Sequence, residues 1–157
     1  MKNFTKLLVS IFFVGYIKYA PGTFGSLVSL IIMYVLIDIL ELSLIILIII
    51  FFILFFISNY LINYFSSITK SHDSKHIVID ELLGLFLIFL FYDFVFIYND
   101  ITTYLLIFLL FRFFDIFKFF PANYFDKRYK NGYGVIFDDI IAGLYTVIML
   151  VIINAFI

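Results

Sequence analysis

The sequence predicts an all-α protein, an integral membrane helical bundle with a polar site at the cytoplasmic helix ends. Three observations carry this reading. Of the 157 residues, 66% are hydrophobic and 13% charged, with a mean hydropathy of +1.21. A soluble domain is nearer ~45–50% apolar and ~25% charged, and could carry this composition only by exposing large apolar patches. The apolar residues also fall in long runs, and backbone groups in hydrocarbon must be paired within their own segment, which favours helices over open strands. Finally, all ten Lys and Arg can be placed on one side of a membrane, together with nearly every residue capable of chemistry.

Taken in order, residues 1–20 read as an interfacial segment. Lys2 and Lys6 precede the apolar run Leu7 to Ile17, as in a secretory leader. Lys18 follows directly, however, and no small-x-small site precedes Pro21, which argues against cleavage. The run is too short to cross ~30 Å of hydrocarbon, so a half-buried or interfacial helix is expected. Four or five apolar stretches follow. The first is Phe24 to Leu40, bounded by Asp38 and Glu41. The second is Leu42 to about Ile62, with Ser58 and Asn59 near its end. The third is Leu82 to Tyr98, carrying Asp93, an acid read as a boundary residue. The fourth starts at Ile101 and turns polar at Arg112, Asp115 and Lys118. The fifth is Ile140 to Ile157. Several fall short of ~20 residues and need polar turns or a thinned bilayer to cross.

Asp38 to Glu41 and Asn99–Asp100 are tight connections, whereas 58–81 and 112–139 are longer and polar. Two hairpins plus a final helix therefore place residues 1–26, 58–81 and 112–139 on one side. Those segments hold Lys2, Lys6, Lys18, Lys70, Lys75, Arg112, Lys118, Lys127, Arg128 and Lys130, and no Lys or Arg lies elsewhere. Positively charged loops stay cytoplasmic, so this side faces the cytoplasm of a cell (inner) membrane. One domain, residues 1–157, is the simplest count. The net charge of -1 offers no field for nucleic acid. The absence of Cys removes disulfides, thiolate metal sites and cysteine nucleophiles. His72 and His76 are too few for a histidine metal cage, and with Asp73 they read as solvated loop residues, Asp73 being within reach of a site.

Four polar constellations remain. Pro21-Gly22-Thr23-Phe24-Gly25-Ser26 reads either as a turn with Thr23 or Ser26 capping the next helix, or as a loop that meets an anion at a helix N-terminus. Asp80-Glu81-Leu82-Leu83-Gly84 places two carboxylates before an apolar helix. They favour the helix dipole, and if partly buried they call for a cation. Arg112, Asp115 and Lys118 share a helical face by their spacing of three. They form either an internal ion-pair set or a phosphate-binding group. In the segment 132–143 a glycine loop, Gly132-Tyr133-Gly134, leads to Asp138-Asp139, with Gly143 one turn beyond. This echoes Asp80-Glu81 and Gly84. Small residues let helices pack closely in membranes, so four carboxylates, hard ligands suited to Mg²⁺, can converge.

Together these segments resemble the phosphatidylglycerophosphatase A family. The resemblance runs in order through PGTFGS (21–26), DSKHIVIDELLG (73–84), FRFFDIFKFFP (111–121) and NGYGVIFDDIIAG (131–143). It implies a Mg²⁺-dependent phosphatase that removes the terminal phosphate of phosphatidylglycerophosphate, a phospholipid of the bilayer, leaving phosphatidylglycerol. Two positions depart from the family pattern, Phe119 and Ser74, each where proline is usual. On this resemblance Asp80, Glu81, Asp138 and Asp139 are expected to hold Mg²⁺. Asp115 is a ligand, base or orienter, Arg112 and Lys118 bind phosphate oxygens, and Thr23, Ser26, Gly132 and Gly134 close around the head group. A carboxylate nucleophile is also open. The rivals are a phosphatidyl-alcohol transferase, a membrane cation transporter using the same carboxylates, and a structural membrane protein. The first needs an Arg after an Ala, where Ala142 is followed by Gly143. The second usually places its acids near mid-membrane, and the third leaves the paired carboxylate–glycine segments without an account.

Overall fold

The computed structural model describes residues 2–71, 74–95 and 100–156, the side chains of Asp100, Asp126 and Lys127 excepted. Among them every regular element is helical: α1 (Lys2–Val9), a single turn at Val14–Tyr16, α2 (Pro21–Tyr34) continued by a wider turn at Val35–Ile39, α3 (Leu44–Thr69), α4 (Ile79–Phe89), α5 (Tyr92–Val95), α6 (Asp100–Phe117), α7 (Ala122–Arg128) and α8 (Gly132–Ala155). Three segments are long and apolar enough to cross a membrane: Pro21–Ile39, Leu44–Thr69 and Gly132–Ala155.

The remaining apolar stretches differ from the sequence reading. The third ends as a regular helix at Phe89, where the Leu90 N–H is shared between Phe86 O and Leu87 O, a tightening common at helix ends. The chain resumes for one turn in α5, and Phe96 to Asn99 lie outside the described residues. At 11 residues, α4 is about 16 Å long, too short to cross alone. α6 carries Arg112 and Asp115 in its last two turns. Asp93 is exposed in α5, beyond the end of α4.

The N-terminal helix also differs. It covers Lys2–Val9 rather than Leu7 to Ile17. Ser10 intervenes: its Oγ donates to Lys6 O (2.6 Å) and accepts from Phe13 N (3.1 Å). Ile11, Phe12 and Phe13 then take left-handed conformations, which stop a right-handed helix. This segment packs on the loop before α4. Val78 N donates to Val9 O (3.1 Å), and the Tyr16 ring stacks on His76 at 4.3 Å. His76 Nδ1 lies 2.9 Å from Gly15 O. His76 is therefore half-buried and held, not a freely solvated loop residue. His72 and Asp73 lie outside the described residues.

α2, α4, α8 and α6 form a ring of four helices, with α3 outside it against α8 and α4. The most extensive pairing is α4 with α8. A Cβ on Gly84 would stand 2.6 Å from Asp139 O, and one on Gly143 would overlap Gly84 O. Both glycines face backbone, which cannot move aside as a side chain can. The expected close approach of the two carboxylate-bearing helices is thus present. At the opposite end of the bundle Tyr104 OH donates to Asp38 Oδ2 (2.5 Å), joining α6 to the end of the first span.

Gly143→Ala should cost about 1–3 kcal/mol by overpacking this contact. Reversible unfolding in mixed micelles would show it as a lower midpoint. An unchanged midpoint would mean that the helices separate without penalty.

Candidate active site

At the end of the bundle where α2, α4 and α8 begin and α6 ends, a cavity of about 220 Å³ opens. Asp80 and Glu81 of α4, Asp115 of α6, Asp138 and Asp139 of α8, and Lys118 just past α6 all line it. Glu81, Asp138 and Asp139 are buried, at 7%, 6% and 4% exposure. The charges of Asp115, Asp80, Glu81 and Asp138 all act on Asp139. Carboxylates that lie up to 59 residues apart in sequence therefore share one small volume.

Local sequence explains how each is placed. Pro21 opens α2 at a position where its missing N–H costs nothing. The residue before it, Ala20, takes the cap position in a left-handed conformation. Thr23 and Ser26 consequently lie inside the helix, and neither caps it. Gly22 and Gly25 hollow out the inner face of α2. A Cβ at Gly25 would stand 2.5 Å from Glu81 Oε2, and one at Gly22 would overlap Glu81 Oε1. Ser26, fully buried, sits 3.1 Å from Glu81 Oε2.

Arg112 ties three helices together. Its Nη1 donates to Asp115 Oδ2 (2.5 Å), Glu81 Oε1 (3.1 Å) and Ser26 Oγ (3.3 Å). Lys118, in a left-handed conformation (φ 44°), reaches Asp138 Oδ2 at 2.5 Å. The Arg112–Asp115–Lys118 set is thus not one internal chain of ion pairs. Arg112 holds α6 to α4 and α2, whereas Lys118 bridges to α8.

Gly132 and Gly134 are not a loop and do not line the cavity; they form the first turn of α8. Asn131 caps this helix by accepting from Gly134 N (3.1 Å), and Asn63 of α3 accepts from Gly132 N (2.8 Å). A Cβ on Gly132 would press on Asn59 at 2.7 Å, and one on Gly134 would overlap Tyr129 O. The Asp138–Asp139 pair therefore sits in the second turn of α8, not at its start, while Asp80–Glu81 occupies the first turn of α4. Thr23 is half-buried on α2, outside the lining. Ser74, Lys75, Ile77 and Val135 also line the cavity. The sequence reading gave them no role at the site, although the first three fall in the segment 73–84 and Val135 in the segment 131–143 that carry the resemblance.

Burial pushes the Glu81 carboxyl up to about 9, and the charge of Asp80 adds to this. Arg112 opposes the rise, Asp115 adds to it, and the Ser26 hydroxyl opposes it. Five carboxylates here meet three cationic side chains, Arg112, Lys118 and Lys75. The excess of hard, anionic oxygen suits a divalent cation by donor chemistry. No three acidic or histidine side chains among the described residues stand ready as a coordination cage.

The phosphatidylglycerophosphatase A family model matches residues 7–154. This chain belongs to that family. Phosphatidylglycerophosphatase A of Haemophilus influenzae is 36% identical over 140 residues, covering 86% of this chain and 79% of its own length. The Escherichia coli protein of the same name is 31% identical over 144 residues, covering 92% and 80%. No solved structure matches. Membership makes the chain an enzyme, a phosphatase, and its apolar spans make it a membrane protein.

One prediction follows from Glu81. Its carboxyl lies near 4.5 in the unfolded chain and about 9 when folded, so the folded state holds this proton more tightly. The resulting stabilisation is complete below about 4.5 and is lost as pH rises toward about 9. Chelator-treated protein should therefore melt at a lower temperature as pH is raised across this window, and Glu81→Gln should flatten the slope. Identical slopes in both proteins would reject the assignment.

Proposed function

We propose that this chain hydrolyses the terminal phosphate of phosphatidylglycerophosphate, leaving phosphatidylglycerol, at the cytoplasmic face of the cell (inner) membrane with Mg²⁺ as cofactor. The supporting observation is the cavity, where five carboxylates meet Lys75 and Lys118 at one end of an apolar bundle, in a chain of this family. Both lysines belong to the three polar segments that carry all ten basic residues, which supports a cytoplasmic orientation.

Phosphate transfer leaves the protein little covalent work; positioning and charge stabilisation supply the rate. Lys118 is the cation in the cavity that is held by a carboxylate of α8. Its ammonium, which reaches Asp138 Oδ2, would also take a phosphate oxygen, acting as a point charge. Arg112 keeps Glu81 and Asp115 in place from behind, and its planar fork leaves it able to take a head-group oxygen near Ser26. Asp115, fixed by Arg112, faces the cavity, where it can orient the attacking group or receive its proton. Asp80, Glu81, Asp138 and Asp139 would hold Mg²⁺, which when bound would polarise the phosphate and lower the pKa of a coordinated water. Gly132 and Gly134 act at a distance, by anchoring the start of α8 so that Asp138 and Asp139 point inward.

The test is phosphate release from phosphatidylglycerophosphate by purified protein in detergent, with Mg²⁺ and then with chelator. Release should require the metal, and Asp80→Asn and Asp139→Asn should each lower kcat by about 100-fold or more. Normal release in those variants would refute the metal-site assignment. Cation flux in vesicles without phosphate release would favour a transporter.

A further inference from the structure

The ring of four helices is closed on three seams and open on the fourth. α4 and α8 interlock through Gly84 and Gly143, α2 and α4 through Gly22 and Gly25. α6 and α8 are joined by the Phe114–Tyr145 ring contact at 5.4 Å, while Phe111 of α6 packs under Gly84 of α4. α2 and α6 touch least. Between them runs an apolar groove of about 380 Å³, lined by Leu27, Ile31 and Tyr34 on one side and Ile101, Leu105 and Phe108 on the other. The seam is pinned at both ends, by Arg112–Ser26 near the cavity and by Tyr104–Asp38 at the opposite end.

The faces that line the groove lead into the site. Residues three and four apart share a helical face. On α6 the stripe Ile101, Leu105, Phe108 continues to Arg112 and Asp115. On α2 the stripe Tyr34, Ile31, Leu27 continues to Thr23. The groove thus ends one turn from side chains that hold the cavity together, and its lining has almost no polar surface.

We propose that this groove seats an acyl chain of the lipid phosphomonoester whose phosphate occupies the cavity. The inference rests on the phosphatase reading above and adds the side from which the substrate docks. A lipid headgroup in the cavity needs its chains to descend along some face of the ring. The other three seams are filled by contacts of glycines with a neighbour's backbone or side chains, or by ring contacts. Among the described residues, the α2–α6 seam offers apolar volume in line with the site.

Two readouts test this separately from catalysis. In the first, a phosphatidic acid with a photoreactive group on one acyl chain is cross-linked to the protein in detergent and the labelled peptides are mapped. The label should concentrate at 27–34 and 101–108. Equal labelling of the exposed outer face of α3 would overturn the groove, whether or not the enzyme turns over. The second readout uses Ile31→Trp and Leu105→Trp, at exposed positions where the bundle core is untouched. These should lower kcat/KM for dioleoyl phosphatidylglycerophosphate about tenfold relative to the dihexanoyl form. Ile49→Trp on α3 should change neither. Equal loss on both substrates, or none, with normal wild-type turnover overturns the groove and leaves the phosphatase reading standing. No wild-type turnover on either substrate, with the label still at 27–34 and 101–108, sinks that reading and keeps the groove. A change in oligomeric mass with the tryptophan variants would assign the seam to a second copy of the chain, and so against the proposal.

Discussion

Gly143 of α8 lies against the carbonyl of Gly84 of α4, and Gly84 lies against the carbonyl of Asp139. The rest of the site depends on that contact. In hydrocarbon no hydrophobic force drives one apolar helix onto another, so association relies on close van der Waals packing and polar bonds between helices. Side-chain-free surfaces at two matching positions allow the backbones to meet. Asp80 is one turn from the first glycine and Asp139 one turn from the second, so the same contact sets the two carboxylate pairs side by side. Gly22 and Gly25 repeat the device on α2, where the space they leave is filled by the Glu81 carboxylate itself.

Bringing five acids together at a helix-bundle end raises an electrostatic cost, and the cationic side chains are divided to meet it. Arg112 is placed behind the cavity, where one guanidinium nitrogen serves Glu81, Asp115 and Ser26 from three different helices. Removing one partner from such a partly buried pair typically costs about 3–5 kcal/mol, so Arg112 has a structural duty whatever else it binds. Lys118 is placed in the cavity on a residue with a left-handed backbone, an uncommon conformation for a side chain of this size. The cation with the more movable head faces the open volume, and the rigid one braces the wall. The upward push on Glu81 comes first from burial, with Asp80 adding to it and Arg112 opposing it.

Much of this was readable from residue types. Composition and run length gave a helical membrane protein, and the repeated carboxylate–glycine spacing anticipated the contact between α4 and α8. Gly132 and Gly134 look like a loop because glycine is a poor helix former. They are helical because Asn63, distant in sequence, accepts from the first free N–H, and because neighbouring backbone occupies the space a side chain would need. Thr23 and Ser26 look like caps until Pro21 starts the helix earlier. The run Leu7 to Ile17 is apolar enough for a helix, but the Ser10 hydroxyl bonds to Lys6 O and Phe13 N, and the left-handed residues Ile11 to Phe13 end the helix. In the first and last cases a tertiary or side-chain-to-backbone contact overrode the local pattern, and in the second the proline moved the helix start. Lys75 and Ser74 lie in the segment 73–84 that carries the resemblance, but their role at the site was missed for another reason: a cavity wall made by a loop carries no periodicity.

The open seam between α2 and α6 has a physical basis in the same pattern of small residues. Where glycines face a neighbour, helices close; the lower halves of α2 and α6 carry Leu27, Ile31, Tyr34, Leu105 and Phe108 instead, whose bulk holds the backbones apart. Polar bonds at the two ends, Arg112–Ser26 and Tyr104–Asp38, then keep the gap from collapsing or spreading. A groove held at fixed width needs no helix to move when a lipid chain occupies it, so little ordering cost falls on the protein. On the proposed reading, water and soluble ions reach the phosphate from the loop side of the cavity while the chain arrives through the bilayer. The polar and apolar parts of one amphipathic substrate are thereby matched to the two media that meet at this end of the bundle.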